Sequence, residues 1–262
     1  MPDPTIQILS TRPLSPELIA GAAEKGISID VIPFIRTESV EDVTLRQRVE
    51  VLGRQKLVAV FTSTNAVEVV AEWTGAKQAA GGGAPFAGAG APLAGSGKQS
   101  ASGGKEWTIF CIGAATRQLV SRHFGEGAIA DTAESALALA QKIVDRRGAG
   151  DIFFFCGDLR REELPATLRE AGFRVNEVVV YRTKATPCVV GGRYRGVVFF
   201  SPSAVESFFS MNGVKPETIL FAIGRTTAAT IQRFCSYPVV VSEQPDAAIL
   251  IRQVIEYFQI KQ

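Results

Sequence analysis

Histidine and cysteine, the usual ligands of protein-bound metals, are scarce in this chain. Its 262 residues include one histidine, His123, and four cysteines, Cys111, Cys156, Cys188 and Cys235. A single histidine excludes a multi-histidine metal centre, and the cysteines are too widely spaced for a C-x-x-C zinc motif. We therefore predict that the protein uses no metal. We also predict that the cysteines are reduced thiols in a reducing cytoplasm and that His123 is exposed to solvent.

The chain also lacks an excess of charge of one sign and long apolar runs. Lys and Arg total 28 against 26 Asp and Glu, a formal net charge of +2, whereas a general nucleic-acid binder usually has a basic stripe. No apolar run reaches the roughly 18 residues of a membrane-spanning helix. Met1–Thr5 has no basic region followed by an apolar core, so no signal peptide is expected. We predict a cytoplasmic monomer with no nucleic-acid or membrane partner.

The sequence repeats itself in three pairs of segments that occur in the same order. Residues 6–37 match 152–183, residues 58–68 match 195–206, and residues 108–144 match 219–255. Each segment reads as a short apolar strand followed by a helical pattern. The first pair also predicts second strands at 29–35 and 175–181, and both copies end in Arg-Thr. Such alternation predicts an α/β fold with two similar domains, each a parallel sheet flanked by helices.

One stretch, residues 76–104, has no counterpart in the repeat. It is crowded with Gly, Ala and Ser, a composition that buries too little apolar surface to offset the entropy lost on ordering. No Lys-Ser or Lys-Thr follows it, so it is not a phosphate-binding loop. We interpret it as a flexible surface insertion.

Small, hydroxyl-bearing residues and glycines follow the predicted strands. In open parallel sheets, ligands bind beyond the carboxyl ends of the strands, and hydroxyls with free N–H groups at helix N-termini suit anions. Each Ser or Thr could instead serve only as a helix N-cap, and each Gly only as part of a tight turn. The candidate substrate-binding residues are Arg12, Ser63, Thr64, Thr116, Gly157, Ser201, Ser203, Thr226 and Thr227.

Tyr181 differs from this set because it ends a predicted strand at a repeat boundary. The equivalent residue of the first copy is Ile35. A position that is apolar in one copy and phenolic in the other invites a catalytic role. A tyrosine at a strand edge with its hydroxyl in water is the alternative.

The segment 155–165, FCGDLRREELP, and the segment 180–183, VYRT, resemble the central signature of the uroporphyrinogen-III synthase family. Further similarity lies at 11–13 (TRP), 61–63 (FTS), 200–205 (FSPSAV) and 222–224 (AIG). The resemblance covers nearly the whole chain except the Gly-rich insertion. Asp158 is a departure, because an asparagine or a similar residue is frequent there in the family.

The resemblance implies a particular domain arrangement. Residues 1–36 with 183–262 would form a first, discontinuous α/β domain, and residues 37–182 a second domain inserted into it. Two crossing strands would join the domains, and the ligand cleft would lie between them.

The resemblance also implies an activity. The family is one of cofactor-free lyases of tetrapyrrole and heme biosynthesis that cyclise hydroxymethylbilane, a linear tetrapyrrole with many carboxylates, to uroporphyrinogen III. Water is lost and ring D is inverted. Tyr181 matches the family's tyrosine that assists departure of the hydroxyl, and Ser63, Thr116, Ser203 and Thr227 match positions lining the cleft. A non-enzymatic two-domain binding module for an anionic small molecule is the alternative.

Overall fold

A computed structural model describes residues 6–76, 107–146 and 150–259 of the chain, in which strands and helices alternate. The strands are β1 (Ile6–Ser10), β2 (Ile27–Val31), β3 (Ile35–Ser39), β4 (Leu57–Phe61), β5 (Trp107–Ile112), β6 (Ile129–Ala133), β7 (Asp151–Gly157), β8 (Arg174–Ala185), β9 (Gly196–Phe199), β10 (Ile219–Ala222) and β11 (Val239–Val241). The helices are α1 (Pro16–Ala23), α2 (Val43–Leu52), α3 (Thr64–Thr74), α4 (Ala114–Phe124), α5 (Ala136–Asp145), α6 (Glu163–Glu170), α7 (Pro202–Phe209), α8 (Arg225–Ile231) and α9 (Ala247–Gln259).

Contacts within the chain divide it into two compact units. Unit 1 comprises Met1–Arg36 with Lys184–Gln262, and unit 2 comprises Thr37–Thr183. The strands β3 and β8 run through the two boundaries and are neighbours in one sheet. Whether each unit is an independent domain, with the boundaries that the repeat predicts, stays a prediction that limited proteolysis can test.

Each unit contains a sheet with helices packed on it, as the repeat predicts. The sheet of unit 1 has the order β11-β10-β9-β1-β2, and the other sheet has the order β3-β8-β7-β4-β5-β6. The pairs of β1 with β2 and β9, and of β10 with β9 and β11, are all parallel. So are the pairs of β4 with β5 and β7, of β5 with β6, and of β7 with β8. The predicted parallel α/β fold is therefore confirmed.

The central strands are buried on both faces, which explains their continuous apolar sequences. In β4, Ala59 and Phe61 pack into one apolar cluster while Val60 packs into another. In β9, Val197 and Phe199 likewise belong to one cluster and Val198 to a second. Because successive side chains of a strand point to opposite faces, each sheet has a core on both sides.

Helix and turn signals of the repeat also have local physical causes. Gly26 and Gly172, which occupy equivalent places in the two copies, have φ values of 74° and 88°, a region that favours glycine. Ser135 caps α5 by accepting the N–H of Ala138 at 3.2 Å. The carboxylate of Asp246 accepts the N–H groups of the first turn of α9. Ser and Asp are both among the preferred N-cap residues.

Two local predictions are wrong. The strand predicted at 29–35 ends at Val31, and β3 begins at Ile35; Pro33 lies in the gap and has no N–H to continue a ladder. His123 is not exposed, since its side chain retains 8% of its accessible surface and Nε2 lies 3.2 Å from Oε2 of Glu68. The reason is that α4, which carries His123, packs against α3, which carries Glu68.

The predicted insertion, residues 76–104, lies outside the described residues except for Ala76. The structure therefore does not test the prediction that the insertion is a flexible surface segment. Within the described ranges, no helix is long and apolar enough to cross a membrane.

All four cysteines are free thiols, and they fall into two pairs by burial. Cys111 and Cys156 are buried, whereas Cys188 and Cys235 are half-buried. Burial raises the pKa of Cys111 and of Cys156 from 9.0 to about 11, because a thiolate loses its hydration in an apolar core. Nearby Arg117 and Arg160 act in the opposite direction but do not reverse the shift.

These raised pKa values predict a loss of stability in alkali. Each thiol stays protonated in the folded chain while it ionises in the unfolded chain, so the free energy of unfolding should fall between pH 9 and about 11. The expected loss is about 2 kcal/mol per thiol by pH 11. Urea denaturation across this range should show a shallower pH dependence in Cys111→Ala and Cys156→Ala. An unchanged slope in the double variant would contradict the prediction.

Candidate active site

In each sheet, two adjacent strands connect to their next strands on opposite sides of the pair. The position between these two strands is the topological switch point of the sheet. In unit 1 this switch point lies between β1 and β9, and in unit 2 between β7 and β4. Ligands of open parallel sheets bind beyond the carboxyl ends of the strands at such points. Gly157 is the last residue of β7, and the residues that follow the other three strands include Arg12, Ser201 and Ser63. All four are candidates from the sequence.

A bulge in β8 sets the direction of the Tyr181 side chain. Cys156 pairs with Val179 but Gly157 pairs with Tyr181, so β8 has one extra residue, Val180, at this point. Val180 and Tyr181 consequently pack on the same apolar cluster, although they are adjacent in a strand. Regular alternation would send Tyr181 to the opposite face. The bulge thus turns Tyr181 toward the start of α3.

The Tyr181 hydroxyl binds to the residues that begin α3. It donates a hydrogen bond to Oγ of Ser63 at 3.0 Å, across 118 residues of sequence. The side chain of Asn65 also lies near enough to lower the pKa of Tyr181. Ser63 is the N-cap of α3, and its Oγ accepts the N–H of Asn65 at 3.2 Å. Tyr181 and Ser63 are both half-buried, so a ligand can approach them.

Gly157 provides the space in which the Tyr181 ring lies. A Cβ atom at residue 157 would stand 2.5 Å from Cζ and 2.6 Å from Cε2 of Tyr181. Real side chains do not approach this closely, so a larger residue would displace the ring. The sequence predicts that Gly157 is an anion contact, which stays a prediction. The structure shows that the absence of a side chain at Gly157 permits the close packing of Tyr181.

Asp158 fixes the backbone on both sides of Arg182. Its N–H donates to the carbonyl of Tyr181 at 3.2 Å, and its Oδ1 accepts the N–H of Thr183 at 2.9 Å. These two bonds hold β8 beside the end of β7 just after the bulge. An asparagine is frequent at this position in the family, and it too has a side-chain oxygen. Asp158 therefore differs from the family pattern but keeps an oxygen that accepts a hydrogen bond.

An ion-pair network secures the segment between β7 and α6. Glu177 of β8, with 14% of its side-chain surface exposed, accepts from both Arg160 and Arg169. Arg169 also bonds to Glu162 at 2.8 Å. A network of ion pairs that includes a largely buried side chain restricts the positions of its residues more than an isolated ion pair on the surface does. The network thus ties the segment that begins at Asp158 to the strand that carries Tyr181.

The environment of Tyr181 keeps its phenol protonated. Burial raises its pKa above the ordinary value of 10.0, the hydrogen bond with Ser63 acts in the opposite direction, and the charge of Asp158 raises it further. At neutral pH the side chain is therefore a proton donor. The protonated phenol beside a half-buried serine is suited to general-acid chemistry.

The switch point of unit 1 has the same plan without a phenol. Thr11 is buried and donates its hydroxyl to the carbonyl of Val198 at 2.8 Å. The guanidinium of Arg12 lies 4.4 Å from the centre of the Phe200 ring. Partial burial of the guanidinium lowers the pKa of Arg12 from its ordinary value, and the charge of Asp246 raises it. Arg12 stays positively charged and keeps exposed surface, so it can bind an anion.

Hydroxyl groups also occupy the start of α7 in unit 1. Ser201 is the N-cap and accepts the N–H of Ala204 at 3.1 Å, and its Oγ lies 3.0 Å from Oγ of Ser203. The capping role that the sequence left open is therefore present at Ser201 and at Ser63. A cap of this kind does not exclude a ligand, because both residues keep exposed surface.

The remaining candidates lie in the first turns of three helices. Thr64 is the first residue of α3 and is half-buried, whereas Thr116 of α4 is buried. In α8, Thr226 is exposed and Thr227 is buried. The structure thus joins Tyr181, Ser63 and Gly157 through direct contacts, while these four threonines stay candidates by position.

Sequence reasoning did not select Asn65, although it contributes directly to the tyrosine's surroundings. Asn65 lies two residues after the cap Ser63, and the repeat has Ser203 at the equivalent place. A polar side chain in both copies was the available signal. Among the residues that the structure describes, no group of three or more His, Cys, Asp and Glu is placed to hold a metal ion.

These features define a class: an α/β protein with parallel sheets, in which the switch point of each unit carries hydroxyl groups, with Arg12 in unit 1 and the protonated phenol of Tyr181 in unit 2. A family model for uroporphyrinogen-III synthase HemD matches residues 16–252. The chain therefore belongs to the uroporphyrinogen-III synthase family. No curated protein sequence matches it significantly.

Two solved structures resemble the chain over nearly its full length. One is a mutant uroporphyrinogen III synthase from the extremely thermophilic bacterium Thermus thermophilus, with 16% identity, a TM-score of 0.59, and coverage of 98% of this chain and 100% of that chain. The other is the uroporphyrinogen-III synthetase from Helicobacter pylori, with 13% identity, a TM-score of 0.59, and coverage of 96% of this chain and 99% of that chain. At these identities the likeness establishes the fold.

Proposed function

We propose that the protein is a uroporphyrinogen-III synthase that cyclises hydroxymethylbilane to uroporphyrinogen III, with loss of water and inversion of ring D. The observation that carries the proposal is the hydrogen-bonded contact between Tyr181 and Ser63 above Gly157, in a chain that belongs to this family. The alternative, a binding module without catalysis, is not favoured, because family membership points to an enzyme of heme biosynthesis.

In this proposal the residues of unit 2 serve the departure of the substrate hydroxyl. The pyrrole nitrogen next to the hydroxymethyl group supplies the electrons that expel it and leaves an azafulvenium cation. The enzyme then needs one weak acid near the leaving oxygen. Tyr181 is protonated at neutral pH, half-buried and fixed by the bulge in β8, so we assign this role to it.

The hydroxyl-bearing residues are proposed to hold the substrate carboxylates. Hydroxyls and backbone N–H groups at helix N-termini bind anions without adding titratable groups that could compete for the proton. We assign this role to Ser63, Thr64, Thr116, Gly157, Ser201, Ser203, Thr226 and Thr227, with Arg12 adding a positive charge. The enzyme's second task is to hold ring D for inversion, since unassisted closure gives the uninverted isomer.

The proposal includes features that belong to the reaction as a whole. We propose a lyase that uses neither metal nor cofactor, because the substrate's own pyrrole nitrogen provides the driving force. We further propose that the protein acts as a monomer in the cytoplasm and binds no nucleic acid. Gel filtration with light scattering tests the monomer, and full activity after dialysis against a chelator tests independence from metal.

The direct test is an isomer assay with freshly prepared hydroxymethylbilane. After oxidation to the porphyrins, chromatography separates the type-III isomer from the type-I isomer that forms without enzyme. We expect the type-III isomer to dominate at catalytic protein concentration, and the type-I isomer in a heat-denatured control. If the native protein binds the tetrapyrrole stoichiometrically but the type-I isomer still dominates, the binding module is the correct interpretation.

A further inference from the structure

The hydroxyl of Ser63 has both of its acceptor positions occupied. A serine hydroxyl has two lone pairs and one proton. Its Oγ accepts the N–H of Asn65 at 3.2 Å and the O–H of Tyr181 at 3.0 Å. The proton of Ser63 must therefore point away from both partners. Since Ser63 is half-buried, this proton is available to a bound ligand.

The repeat shows that this arrangement is not a general property of helix caps. The equivalent serine of unit 1, Ser201, also caps its helix, but its Oγ lies beside Oγ of Ser203. The residue equivalent to Tyr181 in the first copy is Ile35, which has no proton to give. Of these two equivalent serines, Ser63 accepts a hydrogen bond from a tyrosine and Ser201 does not. This difference indicates that Ser63 has a role beyond capping α3.

We propose that Ser63 is a catalytic residue that relays the Tyr181 proton to the leaving hydroxyl of the substrate. The inference rests on the proposed function and specifies how the acid of that function reaches its target. Tyr181 is the source of the proton, and Ser63 is the group that touches the substrate; in the relay its single proton goes to the leaving hydroxyl instead of to a carboxylate. Asn65 orients Ser63 through its backbone N–H, and its side chain lowers the pKa of the phenol.

In the relay, two protons move toward the substrate, one from Ser63 to the leaving oxygen and one from Tyr181 to Ser63. One positive charge forms on the substrate and one negative charge on the enzyme. As the C–O bond of the hydroxymethyl group breaks, its electron pair goes to oxygen, which takes the Ser63 proton and leaves as water. Oγ of Ser63 simultaneously takes the proton of Tyr181. The products are an azafulvenium cation on the substrate and a tyrosinate on the enzyme. The hydrogen that ring D loses when the macrocycle closes returns a proton to Tyr181 and restores the starting state.

Substitution of Ser63 tests the relay because a matched cap is available. Ser135 caps α5 in the same unit with the same type of bond, and it lies outside the proposed site. We expect Ser63→Ala and Ser135→Ala to lower the melting temperature by similar amounts. Ser63→Ala should lower kcat roughly ten- to a hundred-fold with little change in KM, whereas Ser135→Ala should keep full activity. Ser63→Thr retains the hydroxyl and should restore activity to within a few-fold.

A double variant shows whether the two hydroxyls act as one unit. If they do, Ser63→Ala combined with Tyr181→Phe should be no slower than the slower single variant. If the fold loss in kcat of the double variant instead equals the two single-variant losses multiplied together, each residue acts independently. That result would overturn the relay. The relay would also be overturned if Ser63→Ala lost no more activity than Ser135→Ala. Tyr181 would then donate its proton directly to the substrate.

A spectroscopic titration gives a measurement that does not depend on turnover. When the phenol ionises, the hydroxyl of Ser63 can turn and donate to the phenolate, which lowers the pKa of Tyr181. Ser63→Ala should therefore raise the pKa of this tyrosine. Ultraviolet difference titration against Tyr181→Phe isolates its signal from those of the other tyrosines. An unchanged titration would overturn the contact on which the relay depends. Failure of the unsubstituted chain to form the type-III isomer would overturn the proposed function, and with it the relay.

Discussion

Replacement of Tyr181 by phenylalanine is expected to lower kcat roughly ten- to a thousand-fold, within the usual contribution of a general acid. Phenylalanine keeps the ring that packs over Gly157 and removes only the hydroxyl that bonds to Ser63. The pyrrole nitrogen supplies most of the driving force, so the loss should fall short of complete inactivation. Single-turnover conversion of hydroxymethylbilane, followed by isomer separation, measures the effect.

The type-III isomer should remain the product of Tyr181→Phe. Inversion of ring D depends on how the enzyme holds the tetrapyrrole, whereas the phenol contributes a proton to the departure of the hydroxyl. Tyr194, whose hydroxyl bonds to Asp30 at 2.9 Å in unit 1, offers the matched control. Tyr194→Phe should keep full turnover. Full activity in Tyr181→Phe would remove Tyr181 from the mechanism, and a change to the type-I isomer would make it a positioning residue.

Substitution of Gly157 by alanine should cost about a hundred-fold in kcat, because a misplacement of about 1 Å at a reacting group can have that effect. The new Cβ would stand 2.5 Å from the Tyr181 ring, and the ring must move about 1 Å to reach an ordinary contact distance. Overpacking of this kind should also lower the free energy of unfolding by about 1–3 kcal/mol. Stopped-flow turnover and urea denaturation measure the two effects.

The matched control for Gly157→Ala is Gly127→Ala in the same unit. A Cβ at residue 127 would meet no atom within 4 Å, so turnover should be unchanged. Neither glycine has a positive φ, and the comparison therefore isolates the contact with Tyr181 from backbone strain. Equal activity of the two variants would show that the tyrosine ring can move without consequence for the reaction.

Much of the fold could be predicted because it depends on patterns that are visible in the sequence itself. The repeat and the alternation of apolar strands with helical segments predict the parallel sheets. The bulge in β8 could not be read in this way, because it depends on the space above Gly157 and on the bonds of Asp158 to β8. Those contacts join residues that lie far apart in sequence.

The candidate site shows the same limit. Hydroxyl residues at strand ends predict an anion-binding surface, and Tyr181 is conspicuous because its repeat partner is apolar. The bond between Tyr181 and Ser63 spans 118 residues, and period-two alternation from Val178 would place Tyr181 on the wrong face of the sheet. The burial of His123 against α3 was missed for a related reason, since charged neighbours such as Arg122 suggested solvent.

The order of the strands has a consequence for how the chain reaches its folded state. In the repeat, β1 and β2 correspond to β7 and β8, and β9 to β11 correspond to β4 to β6. The corresponding strands have the same order in the two sheets. Each sheet nevertheless combines the first part of one repeat with the second part of the other: β1 and β2 share a sheet with β9 to β11, and β7 and β8 share a sheet with β4 to β6. Two consecutive repeats have thus exchanged halves, an arrangement equivalent to domain swapping within one molecule. During synthesis, β4 to β8 can assemble as soon as they emerge from the ribosome. The β1–α1–β2 element must wait, with one apolar edge unpaired, until β9 follows more than 150 residues later. Until β9 is available, that open edge can pair with other chains, which is a route to aggregation.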